Sequence, residues 1–185
     1  VSNPSNQFNT DTADNLINYL LFFYFFISFE MASLTVEVET TRDIARQLLR
    51  HRSFTFQEFS QRYADPTKDL NFVIREARLQ DLKNRQNSVK TDNEGLQKQW
   101  VDYQSKVVFA ATEAYKWAVE NGIAKEQARV VLPEGNTMSR LYVQGTIRSF
   151  LHYIEVRKAH GTQLEHVQLA QEVAKVVGKV FHLPE

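Results

Sequence analysis

The chain has 185 residues, 43% apolar and 12% aromatic, with 22 basic side chains against 22 acidic ones and no cysteine. That length fits one domain with enough apolar content for a core, and a net charge of zero argues against a protein that coats nucleic acid or an anionic membrane by bulk electrostatics. Without cysteine, a disulfide framework, a thiolate-bound zinc or iron–sulfur centre and a thiol nucleophile are all excluded.

Thr10 to Leu21 begins with Thr and Asp and carries Leu16, Ile17, Leu20 and Leu21 at helical spacing. Tyr19 to Phe29 then reads YLLFFYFFISF and holds five of the thirteen phenylalanines. It is too short for a membrane span, which needs about 20 apolar residues. No basic residue precedes it and no small-residue cleavage site follows, so a signal peptide is disfavoured. It is read as a buried helix end and turn. Ser33 to Glu39 alternates apolar and polar, the pattern of a strand with one buried face. Thr40 or Thr41 caps the next helix, with Asp43 in capping-box register, and Ile44, Ala45, Leu48 and Leu49 carry it to about His51.

Ser53 to Tyr63 sets Phe54, Phe56 and Phe59 among polar residues and reads as irregular or extended, closed by a turn at Asp65-Pro66. Leu70 to Asn93 is polar with no clear period. Leu96 to Asn121 predicts a long helix on Trp100, Tyr103, Val107, Val108, Ala111, Tyr115 and Ala118, stopped by Gly122. Ala124 to Arg129 predicts a short helix, Met138 to Glu155 another, and Gln163 to Val180 the last. The sum is an α+β domain with a small sheet and more helix than strand.

The densest polar signal is Arg42, Arg46, Gln47, Arg50, His51 and Arg52, followed by Gln57, Glu58, Ser60 and Arg62. Arg42, Arg46 and Arg50 are four apart and are expected on one helix face. Polar groups interleaved with phenylalanines suit a lined pocket, and a row of arginines equally suits a solvated face; the pattern alone leaves both open. A third option, a nucleic-acid recognition helix, is disfavoured by the zero net charge. His160, Glu165 and His166 have no metal-ligand spacing, so no metal is expected.

Arg50-His51-Arg52, seven residues and then Ser60 resembles the RHR-x7-S signature of the flavin-dependent thymidylate synthases. The stretches ARVVLP (Ala128–Pro133), GTIRSFLHYIEVR (Gly145–Arg157) and GTQLEH (Gly161–His166) are similar to the phage and bacterial members, so the likeness covers nearly the whole chain. It implies a single domain over residues 1–185, with a small, mostly antiparallel sheet flanked by helices. It also implies FAD as cofactor, NADPH and methylenetetrahydrofolate as co-substrates, and conversion of dUMP to dTMP in the cytoplasm. The family's homotetramers place their active sites between subunits. By motif position, Ser2, Arg50, His51, Arg52, Glu58, Arg148 and His152 would meet the FAD. Gln47, Arg50, Glu58, Phe59, Ser60, Gln61, Arg62, Arg129 and Arg157 would meet dUMP.

Guanidinium forks and backbone N–H donors are the groups that hold a phosphate monoester, which suits Arg62 and Arg129. Arg157, expected within a quarter turn of the Arg148 face, can answer negative charge growing on a pyrimidine ring. It is assigned to the catalytic set with Ser60, which has no neighbouring base and is read as a hydrogen-bonding group. Gln163 to His166 is expected to open the last helix near the site.

The chain departs from the family at Phe23 to Glu30, where relatives carry His-x-His-x-(Ser/Thr)-Pro-Phe-Glu; Phe29-Glu30 remains, while both histidines and the proline are replaced. The run is expected at an active-site edge, stacking on a flavin or blocking the folate and nicotinamide entrance. The likeness also implies a strand ahead of Val1, with Val1-Ser2 inside the connection that follows it.

Overall fold

The computed structural model describes residues 17, 19, 20, 26–69, 71–159 and 161–181. Most of the helix expected over Thr10 to Leu21, and Phe22 to Phe25 of the aromatic run, lie outside them. Phe26–Glu30 forms a short 3-10 turn in which Phe29 is buried, but Ile27 and, ahead of it, Tyr19 are exposed, so the aromatic run is not the buried element expected throughout.

Strand β1 (Ser33–Thr41) pairs antiparallel along its whole length with β5 (Met138–Thr146), from Ser33 opposite Thr146 to Thr41 opposite Met138. Strand β2 (Thr55–Glu58) pairs with the other edge of β5, Thr55 opposite Gln144 and Glu58 opposite Leu141, giving the order β1-β5-β2. Residues opposite one another share a face. Val36, Val38, Phe56, Leu141 and Val143 therefore point to one side, and Glu37, Glu39, Arg140 and Tyr142 to the other. Helix α1 (Arg42–Leu48) buries Ile44, Ala45 and Leu48. Ala45 and Leu48 join the apolar side of the sheet, together with Phe150 and Tyr153 of a later helix, α4 (Ile147–Lys158), and Ala170, Val173 and Val177 of the last described helix, α5 (Leu164–Phe181). On the opposite face Arg140 pairs with Glu37 and Glu39.

The stretch from Met138 to Thr146 corrects the reading of Met138 to Glu155 as one helix. Its core residues fall at every second position, Ser139, Leu141, Val143 and Gly145, which is the period of a strand. Thr146 ends the strand and caps α4 (Ile147–Lys158), its Oγ1 accepting from the Ser149 N–H at 3.2 Å.

Helix α1 is shorter than expected. The Arg50 and His51 N–H groups donate to the carbonyls three residues back, Gln47 and Leu48, and the chain leaves the helix there. The expected cap is also different: Thr41 Oγ1 donates to Asp43 Oδ1 at 2.6 Å and accepts from Arg75 Nη2. Burial pushes the Asp43 carboxyl up, but hydrogen bonds from Arg75 and Thr41 and the Arg75 charge hold it below its ordinary value. Asp65 turns the chain at Pro66 into a single helical turn, Pro66–Asp69, by accepting from the Thr67 N–H.

The polar segment without clear period contains a small hairpin, β3 (Arg78–Gln80) with β4 (Ser88–Lys90). The segment leading into it is fastened to α2 (Glu94–Glu120) by two glutamines seven residues apart. Gln104 exchanges two hydrogen bonds with the Arg75 backbone, and Gln97 two with that of Ala77. Helix α2 begins on Asn93, which accepts from the Leu96 N–H, and ends before Gly122 at φ 77°. Ala111, Tyr115 and Ala118 are buried as expected, whereas Trp100, Tyr103 and Val107 are exposed. Helix α3 (Lys125–Ala128) runs into a 3-10 turn, Arg129–Val131. After α4, Gly161 at φ 94° turns the chain into α5 (Leu164–Phe181). None of the described helices is long and apolar enough to cross a membrane.

Candidate active site

The segment between α1 and β5 brings the polar residues of the signature into two neighbouring groups. The first is a cleft of about 440 Å³ lined by Arg42 and Arg46 of α1, Gln61 after β2, and Glu126, Arg129, Leu132 and Glu134 after α2. Strand parity places Glu58 on the inward face beside Leu141 and Ser139, where it accepts from Ser139 Oγ at 2.8 Å and pairs with Arg42 Nη1 at 3.3 Å. Arg46 pairs with Glu134. Phe59 continues the β2–β5 contact by donating its N–H to the Arg140 carbonyl at 2.8 Å. Ser60 then makes the turn: its carbonyl accepts from Tyr63 and Ala64, and its Oγ from the Arg62 N–H. Arg62 reaches Glu126 at 3.4 Å. Arg129 donates Nε to the Glu126 carbonyl, leaving the end of its guanidinium at the cleft. Gln61 is only 4% exposed and its Nε2 has no partner, so the cleft holds a buried donor awaiting an acceptor.

The second group surrounds a histidine cluster. His51, just past α1, packs its ring 4.6 Å from Phe54, 5.6 Å from Tyr153 and 5.7 Å from His152. Its Nε2 is buried and without a partner. Burial, the neighbouring His152 and the Arg157 charge lower its pKa, against a hydrogen bond to the Ser149 backbone. Burial thus favours the neutral ring, and with its other nitrogen bonded to the Ser149 backbone the open Nε2 can accept from a bound group. Arg157 is half-buried with an unpartnered Nε. Beneath it His166, fully buried, stands between Gln47 Oε1 at 3.2 Å and Tyr153 Oη at 3.1 Å. Burial first, then the Arg157 and His51 charges, push His166 down to about 4. Burial also raises the Tyr153 phenol.

Several expected positions come out differently. Arg50 lies beyond the end of α1 and does not share the face of Arg42 and Arg46; it and Arg52 are exposed. Arg148 and Arg157 are not a quarter turn apart. Nine residues at about 100° each amount to half a turn, and Arg148 is exposed and bonded to Glu30 at 2.8 Å while Arg157 faces the histidines. His152 is exposed beside His51, and Ser2 lies outside the described residues. Tyr153 and Gln163 were not singled out in the sequence as site residues. Tyr153 follows Phe150 by three on the buried side of α4, a spacing that signals packing and not a polar contact. Among the described residues no group of three His, Asp or Glu is placed to hold a metal ion.

The family model described as "Thymidylate synthase complementing protein" matches residues 1–183. A "Probable flavin-dependent thymidylate synthase" of Paramecium bursaria Chlorella virus 1 is 47% identical over 98% of this chain and 82% of its own length. A "Flavin-dependent thymidylate synthase" of Synechocystis is 46% identical over 83% of this chain and 69% of its own length. One from Thermosipho africanus is 30% identical over 88% and 70%. With the signature stretch folded around a histidine cluster and an arginine cleft, and matched along nearly its whole length, the chain belongs to the thymidylate synthase complementing protein family, that of the flavin-dependent thymidylate synthases.

Proposed function

We propose that this chain makes dTMP from dUMP, taking the carbon from methylenetetrahydrofolate and reducing equivalents from NADPH by way of FAD. The observation that carries the reading is the course of one segment. Arg50 to Arg62 leaves the histidine cluster, runs along one edge of the sheet as β2 and turns at Ser60 into the arginine cleft, linking the proposed flavin and nucleotide contacts.

The residues fit both ligands. Arg62 and Arg129, with the N–H groups around Ser60, suit a phosphate monoester. The unpartnered His51 Nε2 and the neighbouring His152 suit the polar edge of an isoalloxazine, and Arg50 and Arg52 the pyrophosphate. When bound, the reduced flavin supplies a hydride, so no thiolate need add to the pyrimidine and the absence of cysteine is no obstacle. Arg157 contributes a guanidinium in a half-buried setting, where its charge stabilises negative charge growing on the uracil carbonyls more strongly than it would in water. Ser60 orients the turn whose N–H groups meet the nucleotide.

Gln47 and Arg157 belong to the histidine group and Arg62 and Arg129 to the cleft, a division suited to active sites shared between subunits of a homotetramer. The exposed Trp100, Tyr103, Phe109 and Trp117 of α2 supply apolar surface for such an assembly. The proposed compartment is the cytoplasm. Yellow purified protein whose NADPH oxidation depends on dUMP supports the reading; NADPH oxidation indifferent to dUMP contradicts it.

A second reading, a homologue that holds dUMP but binds FAD poorly, is favoured by one observation: Phe23, Phe25 and Ser28 stand where the family's run has its two histidines and its proline. Introducing Phe25→His with Ser28→Pro should then raise FAD content, and equal flavin in both proteins rejects it.

A further inference from the structure

We propose that Glu165 sets the direction of a hydrogen-bond relay through Gln163, Gln47 and His166 to Tyr153, which presents the Gln47 amide to the pyrimidine in one polarity and so favours uracil over cytosine. The inference rests on the reading of Gln47 as a nucleotide contact.

The relay starts from a group that can only accept. Glu165 pairs with Arg78, and its Oε2 lies 3.0 Å from Gln163 Nε2, so that nitrogen must donate. Gln163 therefore turns its Oε1 toward Gln47, whose Nε2 donates to it at 2.8 Å. Gln47 in turn directs its Oε1 at His166 Nδ1, 3.2 Å away, so Nδ1 carries the proton. The ring is neutral in its fully buried site, which makes Nε2 an acceptor for the Tyr153 hydroxyl at 3.1 Å. Each amide orientation and the imidazole tautomer follow from the carboxylate.

Two valences of Gln47 remain, one N–H and one carbonyl lone pair. A uracil edge, with a carbonyl beside N3–H, matches a donor and an acceptor in one order. A cytosine edge, with N4–H beside a bare N3, needs the reverse order. An amide free to flip serves both rings, whereas a fixed one leaves the wrong ring with opposed donors and opposed acceptors. Glu165 and Gln163 are thus positioning residues that act through Gln47, while His166 and Tyr153 follow the direction it is given.

The test has two arms. In the unaltered chain with 15N-labelled histidine, long-range 1H–15N correlation should show His166, assigned by its contact with Tyr153, as the Nδ1–H tautomer; an Nε2–H tautomer overturns the relay. The ratio of dUMP to dCMP affinity is then compared with that of Glu165→Gln, where residue 165 can donate as well as accept. The ratio should narrow about tenfold, while Tyr153→Phe, at the far end, keeps it. An unchanged ratio in E165Q, or an equal collapse in Y153F, overturns the specificity role. If Gln47→Ala leaves dUMP affinity unaltered, the nucleotide reading of Gln47 fails, and the tautomer still decides the relay.

Discussion

The Phe54 ring occupies the space beside Gly145 that a side chain there would need. A Cβ at Gly145 would sit 2.5 Å from Phe54 Cδ1 and 2.8 Å from Cε1. This contact joins the end of the signature's first half to the central strand, and the same ring packs on His51, Phe150 and Tyr153. Gly145→Ala is expected to force Phe54 aside at a cost of about 1–3 kcal/mol. Urea denaturation measures the loss, and FAD affinity should fall with it because His51 loses its support. A variant as stable as the parent would show that the ring is not confined there.

His166 gives the fold a pH dependence. Its folded pKa of about 4 lies below the ordinary 6.5, so between those values the unfolded chain binds a proton that the folded chain excludes. Stability is complete above about pH 6.5 and declines as the pH falls toward 4, by up to about 3 kcal/mol. His51 is shifted in the same direction and adds to the same window. Denaturation midpoints at several pH values should show a shallower acid slope in His166→Asn; an identical slope would assign the dependence elsewhere.

Glu58 is tied to Arg42 and to Ser139 inside the sheet face. Glu58→Ala leaves a buried hydroxyl and a largely buried guanidinium without their acceptor, and should lower stability by about 1–3 kcal/mol. A double-mutant cycle with Arg42→Met should recover part of the loss through a coupling of about 0.5–3 kcal/mol. Strict additivity of the two changes would show the pair to be inert.

Arg157→Ala should cut kcat by about 10²–10³-fold if the guanidinium answers charge in the transition state. Its Nε has no partner in the fold, so the unfolding midpoint should move little. A large rise in KM with kcat intact would instead make Arg157 a ground-state binder.

The elements read most easily from sequence were those with one period and a clear stop. β1 alternated cleanly, and α2 ended at Gly122 where a left-handed residue was required. β5 reads as helix because Val143 stands four residues before Ile147 and seven before Phe150, a helical spacing that runs on into α4; only Thr146 as a cap separates them. The hairpin and its glutamine clamps were not legible, since Gln97 and Gln104 act on backbone groups that a sequence does not show as neighbours. Within the site, the signature marked the residues, while their division between cleft and histidine cluster came from strand parity and the early end of α1. Tyr153 stayed hidden because a core tyrosine and a hydrogen-bonding one have the same helical spacing.

The account is tested most directly by product formation. The full chain, supplied with FAD, NADPH and methylenetetrahydrofolate, is incubated with dUMP, and nucleotides are separated chromatographically. The expected result is dTMP that requires all three additions and forms about 10²–10³-fold more slowly in Arg157→Ala. Absence of dTMP in a protein that binds FAD and dUMP, or dTMP formed without FAD, would contradict it.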